Sequence, residues 1–340
     1  MGRAYRSARP TLVAVAELAG VSPSTVSRVV RGSSKVRPEV ATIVRQAIDT
    51  LGYVPDLAAR QLVAGRSDTV GLAIAEDQTH VFGEPFFGAL VSGVAAGLKT
   101  TNYRFVLMVA TDAEDRTWLE HYVGSHRVDG LMLLAPQKGD PLTKAMLAIG
   151  VPIAFMGRPF ASRDAAWVDA DNIGGVVQAV KHLYATGRRR IATITGIRSM
   201  RSGHDRYAGY QRGLRAVGLE EDPSLVVSSD YTLAGGELAM RELLQREVPI
   251  DAVFVASDLM AHGAMQALRV GRLRVPRDVA VIGFGDDPSS VGLHAPLTTV
   301  AQPVDQMGRE LARLVVAAIE GNPGTRRTLL PTRLIIRSTG

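Results

Sequence analysis

The 340-residue chain contains no cysteine, which excludes disulfides, thiolate nucleophiles and cysteine-based metal sites. No run of the ~18 apolar residues needed for a membrane-crossing helix occurs. The basic opening MGRAYRSARP has no apolar stretch behind it long enough for a secretory signal. The chain is therefore expected to stay in the cytoplasm. The common catalytic signatures are missing too: there is no P-loop, no G-x-S-x-G elbow and no H-E-x-x-H. GFG at 283–285 is not a dinucleotide fingerprint, because no third glycine follows at the right place. His80, His121, His126, His182, His204, His262 and His294 show no metal-ligand spacing with neighbouring acids. Neither catalysis nor a metal or other cofactor is expected.

What is present is unevenly distributed charge. Residues 1–66 hold ten basic and four acidic residues, a net +6 that equals the net charge of the whole chain. The remainder sums to zero. A basic segment on a neutral body predicts a polyanion partner at one end; charge alone leaves a solubilising basic tail open. The length suggests two or three domains, and an apolar content of 46% with 21% charged residues is ordinary for a globular chain.

In the basic segment, LVAVAELA (12–19) predicts a short helix. Gly20 offers the positive φ that a tight helix-to-helix turn needs, and Val21 follows as an apolar plug. Ser22 is placed to cap a second helix with Pro23 in its first turn. That helix puts Val26, Val29 and Val30 on one face and Ser24, Thr25, Ser27 and Arg28 on the other. A third helix starts near Pro38, with Ile43, Val44, Ala47, Ile48 and Leu51 as its apolar stripe and Gly52 as its stop. Three short helices with a glycine turn and a polar, basic second helix fit a helix-turn-helix; a basic three-helix bundle without DNA is the alternative. In YVPDLAARQLVAGRS, Asp56 and Gly65 bound a helix of about two turns, marginal alone in water, and so a linker that orders on binding.

From Thr69 the pattern changes. Apolar runs at 70–75, 104–110, 129–135, 151–156, 190–195, 251–256 and 279–284 alternate with amphipathic stretches at 86–100, 173–187, 204–217, 232–246 and 258–270. Continuous apolar strands alternating with helices predict parallel sheets covered on both faces. The series is too long for one sheet, so two similar lobes with a cleft are expected, with ligands at the carboxyl ends of the strands.

AELAGVSPSTVSRVVRGSSKVRPE, LGYVPDLAARQL, RRRIATITG, DRYAGY, VASDLMAHGAMQAL, VPRDVAVIGFGDD, PLTTVAQP and LPTRLIIRSTG stand in this order along essentially the whole chain. Together they resemble the LacI family of repressors. The body segments look closest to sugar-responsive members of actinobacterial type. The resemblance implies an all-α helix-turn-helix headpiece at 1–54 and a hinge helix or linker at 55–68. It implies an α/β body at 69–340, like a periplasmic binding protein, for effector binding and dimerisation. The body's two parallel-sheet lobes would be an N-lobe at about 69–163 and 303–322, and a C-lobe at about 164–301 and 326–340.

By the same resemblance the second helix reads an operator half-site. Pro23 and Ser24 fall where base-contacting side chains vary, and Thr25, Ser27 and Arg28 at positions used for base or phosphate contact. Arg28 is equally suited to a guanine edge and to a phosphate. Thr11 and Ser22 are phosphate candidates at helix N-termini. Arg31 replaces a common Asn, and Arg37 replaces the usual Ser cap of the third helix. Spacing alone favours plain helix packing for Leu62, but within AARQLVAG it matches the hinge leucine that wedges into the minor groove. A homodimer on a pseudo-palindrome is implied; no heptad tail follows LIIRSTG, so a tetramer is not expected.

In the cleft, the resemblance assigns effector contacts to Phe86 and Phe87, Tyr231, Arg206, Asp258 and Gln302, with Glu76 and Arg158 at strand ends. Core packing for the two phenylalanines, and a lobe-to-lobe salt bridge between Arg206 and Asp258, remain the alternatives. An Asp and an Arg between aromatic walls suit a neutral polyhydroxylated ligand. The expected function is a repressor of sugar-uptake or catabolic genes, released from operator DNA by a sugar or oligosaccharide. A purine-type corepressor response and a sugar-binding receptor are the alternatives.

Overall fold

The computed structural model describes residues 10–30, 32–33, 35–54, 66–75, 85–134, 137–160, 164–288, 295–322 and 324–340. They fall into two compact units divided after Arg66. No helix among them is long and apolar enough to cross a membrane.

The first unit contains α1 (Leu12–Ala19), α2 (Pro23–Val30) and α3 (Pro38–Leu51). Thr11 Oγ1 accepts the Ala14 N–H at 3.2 Å and starts α1. Gly20, at φ 65°, ends it and turns the chain, and Val21 packs into the small core. Ser22 Oγ accepts the Thr25 N–H at 3.2 Å and caps α2. Val15, Ala16, Val26, Val29, Ala41, Val44, Ala47 and Tyr53 are buried together. The stripe of α3 runs through Ala41, Val44, Ala47, Ile48 and Leu51, whereas Ile43 is 49% exposed. At 100° per residue, Ile43 lies one step off that line. Arg37 stands at the N-cap of α3 and makes no side-chain cap bond. The expected hinge at 55–65 lies outside the described residues.

The second unit holds two six-stranded sheets. The first contains β1 (Thr69–Ile74), β2 (Arg104–Val109), β3 (Gly130–Leu134), β4 (Ile153–Met156), β5 (Ala166–Ala170) and β11 (Arg327–Leu330), in the order β11-β5-β4-β3-β1-β2 and parallel throughout. The second contains β6 (Ile191–Thr195), β7 (Val226–Ser228), β8 (Ala252–Val255), β9 (Ala280–Gly285), β10 (Thr298–Ala301) and β12 (Arg333–Ile335), in the order β12-β10-β9-β8-β6-β7. It is parallel except for β12 against β10. Each sheet is therefore doubly wound in the same way, with its first two strands reversed at a switch point.

Helices cover both faces. On the first sheet, Val70, Leu72, Ile74, Met132 and Leu134 face α4 (Pro85–Leu98) and α11 (Val304–Ile319). Ala73, Leu131 and Leu133 face a second core with α5 (Ala113–Gly124) and α6 (Pro141–Ile149). This is the period-2 division of a strand buried on both sides. The second sheet carries α7 (Asn172–Ala185) and α8 (Arg201–Ala216) on one side, and α9 (Leu233–Gln245) and α10 (Asp258–Val270) on the other.

The chain crosses between lobes near 171, 302 and 331. The expected boundary therefore moves: β5 belongs to the first lobe, which runs to 170 and not 163, and β11 at 327–330 belongs there too, not to the C-lobe. Parallel pairing of Ala154 with Ala166 and of Trp167 with Arg327 carries both strands. AWVDA and RTLL are short and mixed in polarity, so no apolar run marked them.

Gly93 and Gly308 let α4 and α11 approach to backbone contact. A Cβ on Gly93 would run into the Asp305 carbonyl, and one on Gly308 would come within 2.6 Å of the Leu90 carbonyl. Backbone cannot yield as a side-chain tip can. Gly93→Val is predicted to destabilise the body by about 1–3 kcal/mol or more, read as a lower denaturation midpoint in urea; an unchanged midpoint would contradict this packing.

Candidate functional site

On the first unit, α2 presents Pro23, Ser24 and Arg28 as exposed residues, with Thr25 and Ser27 half-buried. The Ser22 Oγ lies 2.8 Å from Ser24 Oγ and 2.9 Å from Thr25 Oγ1, so three hydroxyls cluster at the helix N-terminus. The free N–H groups and partial positive charge there suit a phosphate. Arg28 has no ion-pair partner among the described residues, and Thr11 is exposed at the start of α1. The structure thus places the seven described DNA candidates on this small helical unit. Arg31 and Leu62 lie outside the described residues.

In the body, a cavity of about 550 Å³ lies at the carboxyl ends of the strands of both sheets. Phe86, Phe87, Arg206, Tyr231, Asp258 and Gln302 all line it. Glu76 lies outside the described residues. Phe86 and Phe87 meet edge to face at 5.2 Å, and Phe87 also belongs to the first-lobe core, so packing and cavity lining coexist there.

Arg206 is only 7% exposed. Its Nε donates to Asn172 Oδ1 (2.8 Å), one terminal nitrogen to the Ala256 carbonyl (2.6 Å) and the other to Gln302 Oε1 (3.0 Å). The guanidinium lies 3.8 Å from the centre of the Phe284 ring, a cation–π contact. Arg206 and Asp258 both sit on the second lobe, so a lobe-to-lobe pair between them is ruled out. Tyr231 holds φ 69°, a left-handed conformation that costs a side-chain-bearing residue about 1–3 kcal/mol. Its ring fills the space where a Cβ on Gly196 would be, and its Oη lies 3.2 Å from Ser202 Oγ.

Arg158 has a different task from the expected one. It does not line the cavity. Its Nε donates to Asp169 Oδ2 at 2.9 Å on the first lobe, and its terminal nitrogen pairs with Asp205 on the second. Arg201 Nε returns a bond to the Arg158 carbonyl at 3.1 Å. Two buried carboxylates on facing lobes need a cation between them, and Arg158 supplies it. Burial pushes the Asp169 carboxyl up, against the pull of Arg158.

The cavity also recruits Asp169, Asn172, Ser202, Asp286 and Asp287, which sequence reasoning did not nominate. The pair Asp286–Asp287 directly follows the apolar run of β9, and strand-end position alone could have flagged it. No comparable signal marks Asn172. Acids at the cavity wall outnumber Arg201 and Arg206, a field that disfavours anionic ligands.

Asp258 is 1% exposed. Burial pushes its carboxyl up to about 6, although hydrogen bonds from Thr299 and the Asp287 N–H favour the ionised form. Asp286 and Asp287 face it from the adjoining loop, Arg337 pairs with Asp286, and His262 lies one turn on along α10. A carboxyl raised on folding binds more protons in the folded state, so its contribution to stability falls as pH rises from about 4 to 6. The loss is complete above 6 and of order 3 kcal/mol, at ~1.4 kcal/mol per pKa unit. Unfolding of the wild type and of Asp258→Asn at pH 5 and pH 8 should therefore differ: the wild type loses more stability toward pH 8. An identical pH response in both would contradict the assignment.

The model for bacterial regulatory proteins of the lacI family matches residues 11–56, and that for a periplasmic binding protein-like domain matches residues 180–339. The chain is 45% identical over 340 residues to the HTH-type transcriptional regulator CelR of Thermobifida fusca, covering 98% of this chain and 99% of that one. It is 31% identical over 336 residues to the repressor CytR of Escherichia coli K12, covering 97% and 96%. Among solved structures, a CelR–cellobiose complex superimposes with a TM-score of 0.79 at 43% identity, covering 98% of this chain and 100% of that one. The lac repressor dimer bound to operator and the anti-inducer ONPF superimposes with a TM-score of 0.87 at 28% identity, covering 98% and 99%. The chain belongs to the LacI family of bacterial regulatory proteins.

Proposed function

We propose that the chain is a cytoplasmic repressor, held on the nucleoid by its operator and released by a neutral disaccharide of the cellobiose class. A homodimer presents two headpieces, residues 1–54, to a pseudo-palindromic site. Ser22, Ser24, Thr25, Ser27 and Arg28 contact bases and phosphates, with Arg31 and Thr11 adding backbone contacts. Residues 55–68 form the hinge, and Leu62 wedges into the central minor-groove step.

The observation that carries the effector reading is the cavity. Its volume of about 550 Å³ is more than one hexose ring needs, and small-molecule sites commonly span ~300–1,000 Å³. Its wall combines polar groups, among them Arg206, Asn172, Gln302 and Asp286, with apolar ones, Phe86, Leu134, Met156 and Val304, that suit the apolar faces of sugar rings. The 45% identity with CelR over 98% of this chain, and the likeness to a CelR–cellobiose complex, support the same class. Because the cavity wall comes from both lobes, a ligand there favours one lobe arrangement over another. Moving a two-state equilibrium from 1:99 to 99:1 takes about 5.5 kcal/mol of differential affinity.

Fluorescence anisotropy tests this with a duplex that the full-length protein selects from a randomised library. Cellobiose should weaken the complex at least about tenfold, a shift of ~1.4 kcal/mol; glucose and cellobiose 6-phosphate should not. Tighter binding with cellobiose would mean corepression and overturn the release. In the same assay Leu62→Ala should weaken selected DNA far more than random DNA at equal salt; equal losses on both would remove the wedge.

A further inference from the structure

Asp258 was expected to accept hydrogen bonds from effector hydroxyls, and its surroundings point elsewhere. It stands in the first turn of α10, but the cap is already supplied by Ser257, whose Oγ accepts the Met260 N–H at 3.2 Å. The Asp258 carboxylate is turned outward from its own helix instead. Oδ1 accepts from Thr299 Oγ1 on β10 at 2.6 Å, and Oδ2 accepts from the Asp287 N–H at 3.1 Å. Both oxygens are thus engaged by donors from two other segments.

The segment at Asp287 needs such an anchor. At the end of β9 the chain passes through Gly285 at φ 140° and then Asp286 at φ 59°, two successive residues with positive φ. These conformations have little local support, and an external bond decides whether the loop stays in place. The Gln302 N–H donates to the Gly285 carbonyl at 3.2 Å, and Arg337 donates to Asp286 Oδ1 at 2.6 Å. Asp258 is the anchor on the remaining side. Gly283 makes room for it: a Cβ there would strike Asp258 Oδ1. The loop so held puts Asp286, Asp287 and Pro288 on the cavity wall.

We propose that Asp258 is a positioning residue, whose carboxylate clamps the 285–288 wall loop to β10 and so presets that part of the cleft wall for its ligand. Its effect on affinity is carried by the loop and not by a bond to the sugar. The inference rests on the reading of the cleft as the effector site. Burying a carboxylate at neutral pH costs stability, and the cost is sustained here by the placement it secures.

Thr299 separates this role from a ligand role, because it is fully buried and absent from the cavity wall. Full-length protein is compared by hydrogen–deuterium exchange over 283–288 and by calorimetric titration with cellobiose. Thr299→Val and Asp258→Ala should each raise exchange of the loop and weaken cellobiose by about fivefold or more, the scale of one ordinary hydrogen bond. Thr299→Ser should restore both. Asp258→Asn should stay within about threefold, because its amide oxygen still accepts from Asp287 while its NH₂ donates to the Thr299 hydroxyl. Unchanged exchange and affinity in Thr299→Val would overturn the proposal. So would Asp258→Asn losing as much affinity as Asp258→Ala with wild-type loop exchange. If the wild type does not bind cellobiose, the effector assignment fails, and loop exchange in Thr299→Val and Asp258→Asn decides the clamp by itself.

Discussion

A buried guanidinium organises the cleft. Arg206 is almost wholly out of water, and a cation in that position is tolerable only when its N–H groups are met. Its partners are drawn from three separated stretches: Asn172 just after the first crossing between lobes, Ala256 at the end of β8, and Gln302 at the second crossing. Phe284 closes the remaining face. Satisfying one side chain therefore fixes the relative placement of two chain crossings and a strand end. Arg158 repeats the logic at the seam, where one guanidinium bridges Asp169 and Asp205, two carboxylates buried on opposite lobes. The residues that could meet a ligand are thus held by bonds that exist without one.

This arrangement bears on how a small molecule at the cleft can act at a distance. The seam is polar: Arg158 with Asp205, Arg201 with the Arg158 carbonyl, and Lys138 N–H with the Ser199 carbonyl at 2.9 Å. Polar contacts can be exchanged for others at small net free energy, whereas an interdigitated apolar interface cannot. A rotation of one lobe on the other would exchange contacts of this kind, together with the ring of Phe160 against Arg201 and His204. Differential affinity of the ordinary allosteric scale, about 1–3 kcal/mol, can bias it.

The architecture was largely legible in the sequence. Seven apolar runs gave seven strands: six are buried along nearly their whole length, which favours apolar residues throughout, and β2 is a half-exposed edge strand. The strands that escaped, β5, β7, β10, β11 and β12, are three to five residues long and mixed in polarity. Their apolar neighbours come from partner strands, which local pattern cannot reveal. Phe86, Phe87, Tyr231, Arg206, Asp258 and Gln302, singled out by their motifs, all line the cavity. Arg158 was misread because a strand-end arginine looks the same whether it faces a ligand or a pair of carboxylates. The clamp at Asp258 was invisible for a similar reason, since Thr299 and Gly283 acquire meaning only when three strands lie side by side.

The third crossing, between β11 and β12, has a consequence for the protein's birth. Synthesis runs from the N-terminus, and the first lobe's strands β1 to β5 emerge early. Its covering helix α11 and its outer strand β11 come from residues 304–330. The lobe that leaves the ribosome first is thus the one that must wait longest for completion. Until then the outer edge of β5 and one apolar face stand open, the features by which chains stick to one another. The second lobe has β6 to β10 in hand by residue 301 and lacks only β12. Until residues 327–335 are made, both sheets lack an edge strand, so that short segment is the one whose arrival completes them together.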